Sequence, residues 1–144
     1  MFELDSRLKA DTYRLGSWPL CEVLLSKDAQ YPWCILVPRR ENISETHHLS
    51  MDDRQQLLKE SCHLAELMTS LFSPDKMNVA ALGNVVPQLH VHHIARYHDD
   101  PAWPGPVWGA VPAKSYDQEA LQDRLARLRG VLSGNEFEAS DDGL

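Results

Sequence analysis

Between Ser50 and Pro74, apolar residues recur at Leu57, Leu58, Leu64, Ala65, Met68, Leu71 and Phe72. That spacing is close to the 3.6-residue period of a helix that buries one face. Ser50, with Asp53 three residues on, makes a capping-box-like start, and Asp52 and Asp53 suit the positive end of the helix dipole. This is the clearest helix of the chain. The apolar runs around it are short: Cys21 to Leu25, Trp33 to Val37, Met77 to Leu82 and Leu89 to Ala95. Each is bounded by polar, Gly or Pro residues and reads as a strand. The order is thus β-β-α-β-β. Such short connections favour an antiparallel sheet with helices on one face, an α+β fold.

The flanks add three expectations. Leu4, Leu8 and Tyr13 suggest a short helix around Asp5 to Leu15, ended by Gly16. Pro101, Pro104, Pro106 and Pro112, with Gly105 and Gly109, make residues 99–112 a loop in which Trp103 and Trp108 serve as anchors. Ser115 and Gln118 form a second capping box ahead of the stripe Leu121, Leu125, Leu128 and Leu132. A single domain is expected over residues 1–133, followed by an acidic, disordered tail over 134–144.

Charge and cysteine content narrow the partners. The net charge of −7 argues against a nucleic-acid polymer. Glu136, Glu138, Asp141 and Asp142 account for more than half of it, so a small phosphorylated ligand remains compatible if its pocket is locally positive. No apolar run approaches the ~20 residues that span a bilayer, and residues 1–10 lack a signal-like apolar stretch, which suggests a cytoplasmic protein. Cys21, Cys34 and Cys62 are widely spaced and odd in number, as expected of buried free thiols in a reducing compartment.

The chemistry concentrates in Gln88-Leu89-His90-Val91-His92-His93-Ile94. On a strand, Gln88, His90, His92 and Ile94 share one face, while Leu89, Val91, His93 and Ala95 share the other. Alternate residues sit roughly 6.6 Å apart. Two imidazoles at that spacing can meet one phosphate group, one as nucleophile and one as hydrogen-bond donor. They can equally share a metal ion, with Glu41 or His98 as further ligands.

This segment resembles the histidine-triad (HIT) family of nucleotide hydrolases and transferases, which carries alternating histidines and apolar residues on a strand. The apolar strand closing on Pro38-Arg39-Arg40, the helix after it, and Asn78 and Asn84 ahead of the histidines keep the family's order. The resemblance covers roughly residues 20–100. It implies a HIT-like antiparallel sheet of about five strands with helices packed on one face, a C-terminal helix and a homodimer.

The resemblance also implies roles. His90 matches the nucleophilic histidine, and His92 matches the last histidine, which contacts the phosphate under attack. Gln88 occupies the first motif position, where the family usually has histidine. Asn84 and Asn78 match phosphate- and nucleotide-contacting positions, and Asp28 lies near the residue that binds ribose hydroxyls.

The implied reaction is attack on the α-phosphate of a dinucleoside polyphosphate, nucleoside phosphoramidate or similar nucleotide, through a covalent nucleotidyl-histidine. No cofactor is required; magnesium enters only with polyphosphate substrates. In the family, the backbone carbonyl of the first motif residue fixes the nucleophile's tautomer. A carbonyl survives in Gln88, so Gln88→His is expected to be tolerated. The Gln88 amide itself is expected to pair with Glu41 or Asn42. His93 is expected to point away from His90 as a satisfied core or interface histidine. Two other readings stay open: a nucleotide-binding protein with little catalytic activity, and a His-ligated metal protein.

Overall fold

A computed structural model of the chain describes residues 1–140. Its sheet has six strands: β1 (Thr12–Ser17), β2 (Cys21–Ser26), β3 (Trp33–Pro38), β4 (Lys76–Ala80), β5 (Val91–Arg96) and β6 (Glu138–Ala139). The spatial order is β4-β5-β3-β2-β1-β6, and every neighbouring pair is antiparallel. Three α-helices accompany it among the described residues: α1 (Ser6–Asp11), α2 (Met51–Phe72) and α3 (Gln118–Leu132). The α+β architecture and the C-terminal helix are as expected.

The alternation of side chains along the strands creates two faces. Val23 and Leu25 of β2, and Cys34 and Leu36 of β3, pack with Leu64 and Met68 of α2 and with Leu125, Leu128 and Leu132 of α3. This is the main core. Leu24, Ile35 and Val37 face the other way and meet Leu8 of α1, with Phe2 and Leu4 beside it. The second face is therefore only partly covered, which leaves room for a site.

The sheet has six strands, against the about five expected. Three sequence expectations are corrected. Thr12–Ser17 is a strand, so α1 stops at Asp11. A bulge between Arg14 and Gly16 breaks β1's alternation and hides its strand period. Gly16, expected to end a helix, instead allows a close approach: a Cβ there would run into the Phe137 ring and the Glu138 carbonyl oxygen. That approach lets β6 pair with β1, so the chain beyond Gly134 is seated on the sheet as far as Ser140, whose N–H donates to the Leu15 carbonyl. The remainder of the expected disordered tail, 141–144, lies outside the described residues.

Two smaller corrections concern caps and thiols. Ser50 does cap α2, accepting the Asp53 N–H, but Asp117 rather than Ser115 caps α3, accepting the Ala120 N–H at 2.7 Å. Cys21 and Cys34 are buried, whereas Cys62 is exposed.

Loop 99–112 is tied down by a buried guanidinium. Arg96 is 1% exposed, yet each of its three guanidinium nitrogens has an acceptor. It donates to both carboxylate oxygens of Asp100 (2.7 and 3.0 Å), to the Asn78 side-chain oxygen (2.8 Å) and to the Gly105 carbonyl (2.8 Å). Burial opposes the Asp100 charge, but Arg96 and the Tyr97 and Ala102 N–H groups hold its carboxyl down at about 2. Trp103 lies against the same guanidinium, as the anchor reading expected.

Candidate active site

Strand pairing decides which way each histidine faces. His92 lies opposite Ile35 and His93 opposite Cys34. Directly opposed residues share a face. His92 therefore lies on the open face with Ile35, and His93 on the helix-covered face. The ladder of β5 starts at Val91 rather than Leu89, because the Leu89 N–H goes to the Ile43 carbonyl instead. His90 sits just ahead of the strand and still meets His92, their ring centroids 4.9 Å apart.

The two rings have fixed and opposite tautomers. His90 Nδ1 lies 2.7 Å from the Gln88 carbonyl oxygen. A carbonyl only accepts, so Nδ1 carries the proton, and in the neutral ring Nε2 carries the lone pair. His92 Nδ1 lies 3.0 Å from the Trp33 indole nitrogen. An indole N–H only donates, so His92 Nδ1 accepts and Nε2 carries the proton. Burial, then the neighbouring His90 and His93, push the His92 pKa down to about 3, so it stays neutral near neutral pH. The pair thus presents one basic nitrogen and one N–H.

Both rings open onto a cavity of about 640 Å³ on the sheet's open face. Asn84 and Asp28 line it, as do Ile35 and Trp108. Trp108 packs against His92 with centroids 4.9 Å apart, so it is more than a loop anchor. Arg7, Lys27 and Lys114 oppose Asp11 and Asp28 around the same cavity, an excess of one positive charge in an acidic protein. Asp28 Oδ1 already accepts from the Gln30 N–H and side-chain amide and from the Lys114 N–H.

Other predicted residues are placed elsewhere. The Asn78 side chain holds Arg96 and does not line the cavity. The Gln88 amide pairs with neither Glu41 nor Asn42; it bonds Glu3 and Asp5. Glu41 pairs with the N-terminal ammonium, and His98 lies beside Asp75, so neither joins His90 and His92. Among the described residues, no group of three or more His, Cys, Asp or Glu is placed to hold a metal ion.

His93 points away from His90. Its Nδ1–H donates to the Val91 carbonyl at 3.0 Å, and Nε2 accepts from the Ser61 hydroxyl at 2.7 Å. Burial pushes its pKa down to about 4 against the opposing Val91 bond.

Sequence reasoning missed Trp33, Arg7 and Lys114 as site residues. Trp33 carried a signal: the same alternation that brings Ile35 to the open face brings Trp33 there too. Arg7 and Lys114 carried none, since the tertiary fold alone brings these distant segments to one cavity.

A family model described as HIT domain matches residues 7–99. Among solved structures, the chain is similar to a histidine triad protein from Marinobacter aquaeolei VT8, with 55% identity, coverage of 92% of this chain and 96% of that one, and a TM-score of 0.89. A histidine triad protein from Bradyrhizobium japonicum shows 45% identity, coverage of 90% and 96%, and a TM-score of 0.88. One from Sinorhizobium meliloti 1021 shows 41% identity, coverage of 92% and 98%, and a TM-score of 0.88. No curated protein matches the chain.

Proposed function

The chain belongs to the histidine-triad (HIT) family, and on that premise we propose that it is a nucleotide hydrolase or nucleotidyl transferase in which His90 is the nucleophile. The observation that carries this reading is the opposed tautomer pair. His90 Nε2 attacks the α-phosphorus, forming a P–N bond as the bond to the leaving group breaks. The Gln88 carbonyl stabilises the positive charge that grows on the ring by accepting its Nδ1–H. His92 Nε2–H donates to a phosphoryl oxygen, and Asn84 offers its amide to the same group. Water then cleaves the nucleotidyl-histidine, which releases the nucleoside monophosphate and restores the imidazole.

The cavity supports a nucleotide on two further counts. Ile35, Leu8 and Trp108 supply apolar surface of the kind a base packs on, and the basic excess suits phosphate. Asp28 lines the same cavity, and we assign it to the ribose hydroxyls. Dinucleoside polyphosphates, nucleoside phosphoramidates and similar nucleotides all present the α-phosphate that this geometry requires. The unpaired thiols Cys21 and Cys34 suit a reducing, cytoplasmic setting.

The reaction so written needs no metal at His90. A metal there would occupy the attacking lone pair. Turnover of a nucleoside phosphoramidate, which does not depend on magnesium, should persist in excess chelator and slow when zinc is added. Loss of all activity with chelator, restored by zinc, would make the histidines ligands and overturn the nucleophilic reading.

The proposed assembly is a homodimer. The sheet ends at β4, and Val79 on that edge is 51% exposed. Apolar side chains on a free sheet edge favour pairing with another chain. Sedimentation at micromolar concentration should give twice the 16.3 kDa chain mass; a monomer throughout that range would contradict it.

A further inference from the structure

The Gln88 side chain turns away from the imidazoles and reaches the beginning of the chain. Its Nε2 donates to the Glu3 carbonyl at 2.9 Å, and its Oε1 accepts the Asp5 N–H at 2.9 Å. A primary amide presents donor and acceptor side by side, so one side chain closes both bonds as a neighbouring strand would. Neither tautomer of histidine does this, because its two ring nitrogens point in divergent directions. Further ties hold the same segment. Arg7 Nη1 donates to the Val85 carbonyl at 2.8 Å, beside Asn84. Phe2, Leu4 and Leu8 pack against Ile35, Val37 and Val86. Arg7, Leu8 and Asp11 also line the cavity that holds His90 and His92.

We infer that Gln88 is a latch: its side-chain amide fixes the N-terminal arm, residues 1–11, over the open face of the sheet as a wall of the nucleotide cavity. The nucleotide in this statement rests on the function proposed above; the latch itself does not. One residue then has two tasks. Its backbone carbonyl orients His90, and its side chain holds the arm that bounds the ligand. The histidine usual at this position would serve the first task and abandon the second. The expectation that Gln88→His is tolerated is thereby reversed.

The test compares the full-length chain with Gln88→His and Gln88→Ala, with Gln88→Glu as a milder third variant that keeps the acceptor and loses the donor. Hydrogen exchange of the arm is followed without ligand, and KM and kcat are measured with adenosine phosphoramidate. In the His and Ala variants the Asp5 amide and its neighbours should exchange about tenfold faster, the loss of one to two modest hydrogen bonds. KM should rise about tenfold and by a larger factor than kcat falls, because every variant keeps the carbonyl that holds His90. The Glu variant should fall between. Unchanged exchange overturns the latch, as does faster exchange with KM unmoved. A wild-type chain that turns over no nucleotide defeats the function proposed above, and the exchange data still decide the latch.

Discussion

His90→Ala is expected to abolish turnover while leaving nucleotide affinity within about tenfold, roughly 1.4 kcal/mol. The nucleophile forms its bond to phosphorus only as the reaction proceeds, so its loss falls on the transition state far more than on the bound ground state. The structure adds a reason why no neighbour takes its place. His92 is the nearer imidazole, but its Nδ1 is engaged by the Trp33 indole and its Nε2 carries a proton. His93 faces the helices, with both nitrogens bonded to Ser61 and Val91. Steady-state kinetics and calorimetric titration of a nucleoside monophosphate on the same preparations check both halves. Full activity in the purified variant would end the covalent mechanism.

Arg96→Met is expected to destabilise the fold by roughly 3–5 kcal/mol, the usual cost of leaving one member of a buried ion pair without its partner. The Asp100 side chain is buried, and it would be left with the Tyr97, Ala102 and Trp103 N–H groups as its remaining donors. Asn78 and the Gly105 carbonyl would lose a partner in the same substitution. Urea unfolding at neutral pH measures the change; a loss below about 1 kcal/mol would show that the loop is held by other contacts. The damage should extend to the site. Loop 99–112 carries Trp108 onto His92, so a loosened loop removes one wall of the cavity.

The elements with uninterrupted periods were legible in the sequence. The central helix was, and so were β2, β3 and the alternation that puts His92 and His93 on opposite faces. β1 was not, because a bulge shifts its register and Leu4 and Leu8 upstream imitate a helical stripe. β6 was not, because two residues carry no period and its place depends on Gly16 being small. In the site, local hydrogen bonds were legible. The Gln88 carbonyl lies two residues before His90, a relation within one short segment that the family resemblance implied. Relations between distant segments were not: Trp33 to His92, Gln88 to Glu3 and Asp5, and Asn78 to Arg96 each depend on the finished fold. Asn78 shows the hazard of reading roles from order alone, since the residue keeps its place in the pattern and serves the scaffold.

The most direct test of the central claim is to trap the intermediate. The chain is mixed with a nucleoside phosphoramidate, quenched within one turnover under conditions that preserve phosphohistidine, digested and analysed by mass spectrometry. The account predicts one nucleoside monophosphoryl group on the peptide containing His90, assigned to that ring by fragmentation and absent from His90→Ala. Rapid turnover with an unmodified His90 peptide at every quench time, or an adduct at His92 instead, would contradict it.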